Sequence, residues 1–358
     1  GKLQMTFYWI LFFLTSFLAI VGTNRPPSSS RYHYVSLNSV WWLFIFALTL
    51  LIGLRHDVGG DWSNYLRMLD RVQYDSLRLM ADPGYTAMNQ LSLRLGWGIY
   101  GVNLICGFIF SLGLAIFCRN LPRPLLALAV AVPYLIIVVA MGYSRQGAAL
   151  GLAMIGLVAL TRQYKLRFFI LIILATTIHK SAFLLLPIAA LASTKNRFFI
   201  FISVGALSGF MYFIFLSSVY ETLITNYIDA QIVSQGALVR LLMNAIPASI
   251  LLLWSHRFKF NAVEEPLWKI FSYLSILLLG LLFVSNASTA MDRIGLYMLP
   301  IQLVVFSYLP EIFSKSRALS QWIVFGVISY YGLVLFVWLN FATHANLWLP
   351  YQSLLFKL

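Results

Sequence analysis

Long apolar runs separated by short polar loops make up most of this chain. Ten runs are about as long as the roughly 20 residues that cross the hydrocarbon layer of a bilayer. They lie at about 6–22, 37–54, 100–118, 124–141, 146–161, 198–216, 238–255, 268–285, 294–311 and 319–341. Two shorter runs, 167–178 and 182–193, form either one long span or a hairpin. The pattern predicts an all-α polytopic membrane protein, because helices satisfy their own backbone groups in lipid.

The basic residues of the loops favour the hairpin and orient the spans. Basic clusters at 162–167 and 195–197 flank the two short runs, and such clusters prefer the cytoplasmic side. A hairpin puts both clusters there and places His179 and Lys180 at its outer apex. The chain is then predicted to form a single integral membrane domain, 1–358, with about twelve transmembrane helices. The outer segments are 55–99, 217–237 and the tail 343–358, and both termini are expected on the outer side.

The outer segment 55–99 contains two further helical patterns. Asp61 is predicted to cap the first helix, and Asp82 with Pro83 begins a second helix that ends at Gly96. The apolar face of the first is Trp62, Tyr65, Leu66, Leu69 and Val72, and that of the second is Gly84, Ala87, Met88, Leu91 and Leu95. Two amphipathic helices of this kind are expected to lie in the membrane interface, where they would roof a cavity open to lipid.

Composition excludes a soluble protein. Hydrophobic residues make up 61% of the chain and charged residues 10%, whereas soluble domains carry about 25% charged residues. The formal net charge of +14 is explained by basic loops and by anionic lipid or phosphate ligands, so no nucleic acid is expected as a partner. Cys106 and Cys118 lie roughly 18 Å apart on one helix and cannot form a disulfide with each other. No Cys/His cluster has metal-ligand spacing, and no metal or other cofactor is expected.

Charged residues at the ends of spans are the candidates for chemistry. A charge at the bilayer centre costs about 2.5–3.5 kcal/mol on insertion scales, so such groups usually line a polar cavity. The set consists of Arg55, Asp57, Asp61, Arg145, His179, Lys180, Asp292 and Arg293. A cationic pocket that also holds carboxylates indicates an anionic substrate. The alternative roles, as a snorkelling anchor, a helix cap or a local ion pair, stay open for each residue.

Three segments carry the strongest signals. In 54–65, Gly59-Gly60 permits a sharp turn beside a cation and two carboxylates at a helix N-terminus, an arrangement suited to phosphate. Arg145 opens a helix rich in small residues, and an arginine in a first turn opposes the helix dipole, which makes a ligand the better explanation of its position. His179 and Lys180 supply a group that titrates near neutral pH and a second cation. The tail segment 348–351 is either an interfacial anchor or a substrate contact.

These motifs resemble the EpsG family of Wzy-type polysaccharide polymerases. The resemblance rests on Arg55, Gly59-x-Asp61 with Tyr65, Arg145-Gln146, His179-Lys180-Ser181-Ala182, Asp292-Arg293 with Tyr297, and Pro350-Tyr351. Three residues depart from the family pattern. Gly60 stands where a small hydroxyl residue is expected, and His56-Asp57 replaces an aromatic-rich pair.

The resemblance implies a glycosyltransferase with a GT-C-like multispan fold in the bacterial inner membrane. Such an enzyme joins oligosaccharide repeat units carried on undecaprenyl pyrophosphate, at the periplasmic face, as in the synthesis of O-antigen or exopolysaccharide. The growing chain moves from its lipid carrier onto the non-reducing end of the next unit. A flippase and a chain-length regulator are implied as partners, beside the membrane lipid itself.

The candidate roles follow from charge and hydrogen bonding. A single displacement needs cations for the pyrophosphate, a base for the acceptor hydroxyl and polar or aromatic contacts for the sugars, and it predicts an inverted anomeric centre. The cations are Arg145, Arg55, Lys180 and Arg293. The candidate bases are Asp61, then His179, then Asp57. The sugar contacts are Gln146, Tyr65, Asp292, Tyr297 and Tyr351.

Other functions remain open on the sequence alone. An O-antigen-ligase-like or other GT-C enzyme would use the same lipid donor with a different acceptor. A lipid-linked oligosaccharide flippase or transporter would place charges along the midplane and show internal repeats. A membrane acyltransferase would rely on His179, and a metal-dependent GT-C enzyme on Asp57 and Asp61.

Overall fold

The computed structural model describes most of the chain. The described residues are 5–22, 35–74, 82–193, 195–196, 198–200, 202–206, 208–210, 212–213, 236–284 and 288–356. Almost all of the predicted outer loop 217–237 lies outside them. Within these ranges every regular element is helical and no β-strand occurs, apart from one isolated bridge between Arg55 and Ser353. The prediction of an all-α chain is therefore confirmed for this part of the protein.

Fourteen α-helices are named here in chain order. They are α1 (Thr6–Val21), α2 (Ser39–Gly53), α3 (Trp62–Tyr74), α4 (Pro83–Arg94), α5 (Gly98–Arg119), α6 (Pro124–Ala131), α7 (Ser144–Thr161), α8 (Lys165–Ile178), α9 (Leu185–Ser193), α10 (Ala237–Leu253), α11 (Glu264–Val284), α12 (Ser288–Leu296), α13 (Pro300–Phe313) and α14 (Arg317–Phe341). A π-helix, Val132–Ala140, continues α6, and a 3-10 turn, Lys180–Leu184, precedes α9.

Four of these helices are long and apolar enough to cross a bilayer. They are α5, α7, α11 and α14, and the pair α12 and α13, bent by 53°, counts as a fifth if it forms one span. Shorter apolar helices within the described residues are α1, α2, Pro124–Ala140, Lys180–Ser193 and α10. This set fits a polytopic membrane protein, and the count of twelve spans stays a prediction.

The chain forms two compact units. One consists of residues 1–180 and 307–358, and the other of residues 181–306. In the first unit α7 packs against both α5 and α8, and α2 packs against α5. In the second unit α10 packs against α11.

Small residues bring α5 and α7 close together, as the glycines of α7 predict. A Cβ added to Gly113 of α5 would lie 2.2 Å from the carbonyl oxygen of Gly151 on α7. A Cβ on Gly151 would in turn lie 2.7 Å from the carbonyl oxygen of Ile109. Backbones can approach this closely only where side chains are missing. The start of α7, which carries Arg145, is thereby held at a defined position against α5.

The two helices predicted in the segment 55–99 are present as α3 and α4. Helix α3 buries Trp62, Tyr65 and Leu69 of its apolar stripe, while Leu66 stays exposed. The opposite face carries charged residues, so α3 is amphipathic as expected. Its location in a membrane interface stays a prediction.

Helix α4 turns a polar face towards the protein. The residues that it buries are Tyr85, Asn89 and Ser92, whereas Leu91 and Leu95 of the apolar face are about half exposed. An apolar face turned outwards with a polar face turned inwards is what a helix needs if it separates lipid from a polar site. The polar residues of α4 therefore belong to the interior described next.

Candidate functional site

An ion pair between Arg145 and Asp82 is the centre of the candidate site. Nη1 of Arg145, in the first turn of α7, donates to Oδ2 of Asp82 at 2.6 Å. The Arg145 side chain is 21% exposed and that of Asp82 8%. The second carboxylate oxygen, Oδ1, accepts the backbone N–H of Lys180 at 3.3 Å. One carboxylate thus connects the start of α4, the start of α7 and the segment that follows α8.

Burial shapes the acidity of this carboxylate. Removal from water raises the pKa of Asp82 above its ordinary value, because burial penalises the charged form. The positive charges of Arg145 and Lys180 oppose that rise. These charges stabilise the ionised form of the carboxyl, so its basicity depends on its two cationic neighbours.

Two buried tyrosines lie against Arg145. The hydroxyl of Tyr65 accepts the backbone N–H of Arg145 at 3.3 Å, and the guanidinium carbon lies 5.9 Å from the centre of the Tyr85 ring. That distance is within the range of a cation–π contact. Burial raises the pKa of both phenols, and the nearby charge of Asp61 raises that of Tyr65 further. Both hydroxyls therefore stay protonated and available as donors at neutral pH.

Arg145 keeps one edge of its guanidinium unused. Its Nε is buried and has no hydrogen-bond partner among the described residues. Asp82 occupies Nη1, whereas Nε and Nη2 together form the side edge that can present two parallel N–H donors to a phosphate or carboxylate. A buried donor without a partner is uncommon in folded proteins. The arrangement leaves Arg145 neutralised on one side and able to bind an anion on the other.

Arg55 is a buried residue that links the 52–58 turn to the start of α7 through hydrogen bonds. It is buried, its Nε donates to the carbonyl oxygen of Val58 at 3.1 Å, and its Nη1 donates to that of Ile52. Its Nη2 donates to the hydroxyl of Ser144, which contacts Oδ1 of Asn103 at 3.2 Å. All three guanidinium nitrogens are thus engaged by the protein. This placement makes Arg55 a brace between the 52–58 turn and the start of α7 and argues against the predicted phosphate contact.

The remaining acids of this segment differ in placement. Asp57 is exposed, with a backbone φ of +50°. Asp61 is half-buried before α3, where its N–H donates to the carbonyl oxygen of Gly142 at 3.3 Å. The structure therefore brings Asp61 next to Tyr65 and the 142–145 segment, and it leaves Asp57 in a more open position.

The predicted break between the two short apolar runs is present. Helix α8 ends at Ile178, and the 3-10 turn begins at Lys180. His179 is buried, and its backbone N–H donates to the carbonyl oxygen of Ala175 at 2.9 Å. Lys180 is exposed, and its backbone N–H reaches Asp82 as described above. Gln146, beside Arg145, is half-buried.

The indole of Trp348, in the C-terminal tail, packs against the backbone at two glycines, Gly60 and Gly142. A Cβ on Gly142 would lie 2.1 Å from Cζ2 of its ring, and a Cβ on Gly60 would lie 3.2 Å from Cη2. The indole N–H donates to the carbonyl oxygen of Ile137 at 2.8 Å, and the hydroxyl of Tyr8 donates to the carbonyl oxygen of Trp348 at 2.5 Å. Trp348 is fully buried. The indole of Trp348 is therefore packed within the protein, and the role of segment 348–351 as an interfacial anchor or a substrate contact stays a prediction.

Tyr351 follows the same tail into the first unit. Its hydroxyl donates to the carbonyl oxygen of Leu51 at 2.7 Å, and its ring stacks on Phe7 with centroids 3.6 Å apart. Burial raises its pKa to about 12. Both the hydroxyl and one ring face are therefore in use within the protein, so the predicted sugar contact would have to use the remaining edge.

The other predicted contacts belong to the second unit. Asp292 forms a forked ion pair with Arg240, in which Nε donates to Oδ1 at 2.9 Å and Nη2 to Oδ2. Arg293 is half-buried and Tyr297 is fully buried. Arg240 was not identified from the sequence, because it lies inside an apolar run.

Asp82 and Tyr85 are the residues that the sequence analysis missed. The sequence predicts Asp82 as a cap for α4, yet its side chain makes no capping bond to that helix within the described residues. Tyr85 does not fall on the apolar stripe of α4, so the sequence pattern assigns it no role. The signal available in the sequence is an acid and an aromatic residue close together in one short segment, Asp82-Pro83-Gly84-Tyr85.

Comparison with known proteins gives one result. A model of the EpsG family matches residues 38–353, which is most of the chain and includes every residue discussed above from Ile52 to Tyr351. No curated protein and no solved structure matches the chain.

Proposed function

We propose that this chain, which belongs to the EpsG family of Wzy-like polysaccharide polymerases, joins oligosaccharide repeat units carried on a polyprenyl pyrophosphate lipid such as undecaprenyl pyrophosphate. The reaction takes place at the periplasmic face of the bacterial inner membrane, beside Arg145. The observation that carries this proposal is the buried, unpartnered Nε of Arg145, on a guanidinium that Asp82 holds by its opposite side.

The pyrophosphate is the part of the substrate that Arg145 suits. Pyrophosphate is already a competent leaving group, so the enzyme must chiefly stabilise the charge that collects on it as the glycosidic bond breaks. Preorganised donors in a site shielded from water do this well, and removing one typically costs about 3–4 kcal/mol, a hundredfold or more in rate. The side edge of Arg145 supplies two such donors, and the exposed ammonium of Lys180 supplies a second charge nearby.

The glycosyl transfer is a single displacement. The acceptor hydroxyl oxygen forms a bond to the anomeric carbon of the donor, while the bond from that carbon to the pyrophosphate oxygen breaks. The electron pair leaves with the lipid pyrophosphate, and the hydroxyl proton passes to a base in the site. One displacement inverts the anomeric configuration. Cationic side chains supply the charge neutralisation, so the reaction proceeds without a metal ion.

The helices α3 and α4 give the lipid a route to the site. Leu91, Leu95 and Trp97 form an exposed apolar edge on and after α4, and the polar face of the same helix lies towards Arg145. A prenyl chain can lie along the apolar edge while its pyrophosphate reaches the guanidinium. Membrane lipid is therefore the environment through which donor and acceptor both arrive.

Polymer formation by the purified protein tests the proposal. The protein in detergent is incubated with a pyrophosphate-linked repeat unit, with and without EDTA, and the products are separated by gel. A ladder is expected in both conditions, and Arg145→Ala should abolish it. Arg94→Ala is the matched control, since Arg94 is an exposed arginine at the end of α4, and it should leave the ladder intact.

Several outcomes would contradict the proposal. A normal ladder from Arg145→Ala would remove the assigned role of the guanidinium. One large transfer to a different acceptor would indicate a ligase, and movement of the lipid across vesicles without bond formation would indicate a flippase. A ladder that EDTA abolishes and a divalent cation restores would indicate a metal-dependent enzyme.

A further inference from the structure

We propose that Asp82 is the base that accepts the proton of the acceptor hydroxyl, and that it becomes active only when the donor's pyrophosphate binds Arg145. The inference rests on the proposed function, because it concerns the same site and the same transfer. The inference adds Asp82, which the family motifs do not include, to the catalytic residues. It also explains why the donor must bind before the acceptor can react.

Both carboxylate oxygens of Asp82 accept hydrogen bonds from the protein. Oδ2 accepts from Arg145 Nη1 at 2.6 Å, and Oδ1 accepts from the backbone N–H of Lys180 at 3.3 Å. Hydrogen bonds and positive charges of this kind stabilise the ionised form of a carboxyl. The two cationic neighbours make this carboxylate a weaker base than burial alone would make it. The carboxylate also neutralises an arginine that would otherwise stand without an ionic partner in a largely buried position.

Binding of a pyrophosphate changes this balance. The ligand brings at least two negative charges to Arg145 and Lys180, and it competes with Asp82 for both. Asp82 then loses part of its cationic stabilisation and is repelled by the new anion, while its burial remains. Burial already raises the pKa of this carboxyl, so the loss of cationic stabilisation moves the carboxyl towards the range in which a general base works best. Donor binding therefore activates the base.

The backbone fixes where the freed carboxylate can lie. A Cβ on Gly84 would lie 2.3 Å from Oγ1 of Thr177 on α8, so the first turn of α4 is pressed against α8 immediately beside Asp82. Pro83 restricts the preceding backbone as well. The carboxylate can thus turn away from Arg145 by side-chain rotation while its backbone stays in place.

The other candidate bases fit less well. Asp57 is exposed, so water competes with the acceptor hydroxyl for its carboxylate oxygens. Asp61 is half-buried near Tyr65 and is better placed to orient the acceptor sugar. Of the acids in the described residues, Asp82 is the one that forms an ion pair with Arg145. Pyrophosphate binding to Arg145 therefore changes the basicity of Asp82 directly through that ion pair.

The transfer with Asp82 as base is balanced. The acceptor oxygen forms its bond to the anomeric carbon, and the bond from that carbon to pyrophosphate breaks with its electron pair. The hydroxyl proton moves to Asp82, which becomes a neutral carboxylic acid. Release of the lipid pyrophosphate returns Arg145 to Asp82, and the proton leaves to solvent as the ion pair forms again.

The test separates binding from turnover. Asp82→Asn removes the base and the charge that competes for Arg145, while it keeps the shape of the side chain. Two quantities are measured for wild type and variant, namely the Kd for inorganic pyrophosphate in detergent and the single-turnover rate at saturating donor and acceptor. Asp70→Asn is the matched control, because Asp70 is an exposed acid on α3.

The inference predicts opposite changes in the two quantities. Asp82→Asn should bind pyrophosphate at least about threefold more tightly, because a competing charge a few ångströms from the ligand is gone. Its turnover should fall by about 10²–10⁴-fold, as expected for loss of a general base. Asp82→Glu should recover part of the rate, and Asp70→Asn should change neither quantity.

Each other result has a definite meaning. If Asp82→Asn binds pyrophosphate more weakly and loses rate in proportion, Asp82 only positions Arg145. If its rate stays within about threefold of wild type, another residue is the base. Either result overturns the inference. A loss of monodisperse folded protein in Asp82→Asn is checked against Asp82→Glu, which keeps the ion pair. If the wild type makes no polymer, the proposed function fails and so does the inference, whereas tighter binding in Asp82→Asn would still establish the competition for Arg145.

Discussion

Replacing Gly142 by alanine tests how the tail residue Trp348 positions Arg145. The added Cβ would lie 2.1 Å from Cζ2 and 2.9 Å from Cε2 of the indole, whereas carbon atoms in contact are about 3.5–4.0 Å apart. The ring must therefore move by about 1 Å or more, or the loop must move away from it. The indole is held by its bond to the carbonyl oxygen of Ile137 at 2.8 Å and by the rings of Tyr143 and Trp338.

The expected cost follows from these contacts. Overpacking a well-filled site costs about 1–3 kcal/mol, and leaving a buried polar group without its hydrogen bond adds about 1–3 kcal/mol. A loss of about 2–5 kcal/mol in the free energy of unfolding is therefore expected if the ring moves. If the loop moves instead, Arg145 is displaced with it, and a misplacement of about 1 Å can lower the rate about a hundredfold.

The measurement compares Gly142→Ala with Gly280→Ala, each for thermal unfolding in detergent and for the rate of polymer formation. A Cβ on Gly280 of α11 would meet no atom within 4 Å, so this control should be neutral or more stable by up to about 1 kcal/mol through helix propensity. In a Trp348→Leu background the clash disappears, and the additional effect of Gly142→Ala should become small. The reasoning is refuted if Gly142→Ala matches Gly280→Ala in both stability and rate.

Three further substitutions test the assigned roles. Arg145→Lys keeps the charge but loses the pair of parallel N–H donors, so the rate of polymer formation should fall about a hundredfold or more. Arg94→Lys should leave that rate unchanged. If the two variants form polymer at the same rate, the role assigned to Arg145 is wrong. The lysine of Arg55→Lys carries its three N–H donors on one nitrogen, so it cannot reach the acceptors that three separate guanidinium nitrogens bind. The melting temperature in detergent should therefore fall by an amount equivalent to about 2–4 kcal/mol, and an unchanged melting temperature would contradict the structural role of Arg55. Asp61→Asn should raise the KM for the acceptor more than it lowers the single-turnover rate, and the reverse result would make Asp61 the base.

The helices were predictable because burial in lipid imposes a simple local rule. Apolar runs marked nearly every helix, and the capping pattern at Asp61 together with Pro83 marked α3 and α4. The number of spans was less certain, since several helices have only 14–17 residues, as α2 (Ser39–Gly53) and α10 (Ala237–Leu253) do. At about 1.5 Å per residue these are shorter than a hydrocarbon layer of about 30 Å, so length alone does not decide which of them cross it.

The candidate site was only partly predictable because its contacts are not local. Arg145 stood out as a charge at a helix start, but its partner Asp82 lies 63 residues away in the sequence. Asp82 also fitted a helix cap, and that local explanation left no reason to look for a distant partner. Trp348 was similar, since an aromatic residue near a chain end is usually interfacial, and only the fold brings it against Gly142. Sequence patterns therefore identify unusual charges such as Arg145, but only the fold shows which residue is paired with each of them.

The most direct test of the account is the stoichiometry between glycosidic bonds formed and lipid pyrophosphate released by the purified protein. Both are measured in one reaction with a pyrophosphate-linked repeat unit, the bonds from the product ladder and the released carrier by chromatography. The account predicts one molecule of lipid pyrophosphate for each new bond, with both products absent in Arg145→Ala. Release of the carrier without bond formation, or polymer growth without release, would contradict the claim that this chain is a polymerase acting on lipid pyrophosphate.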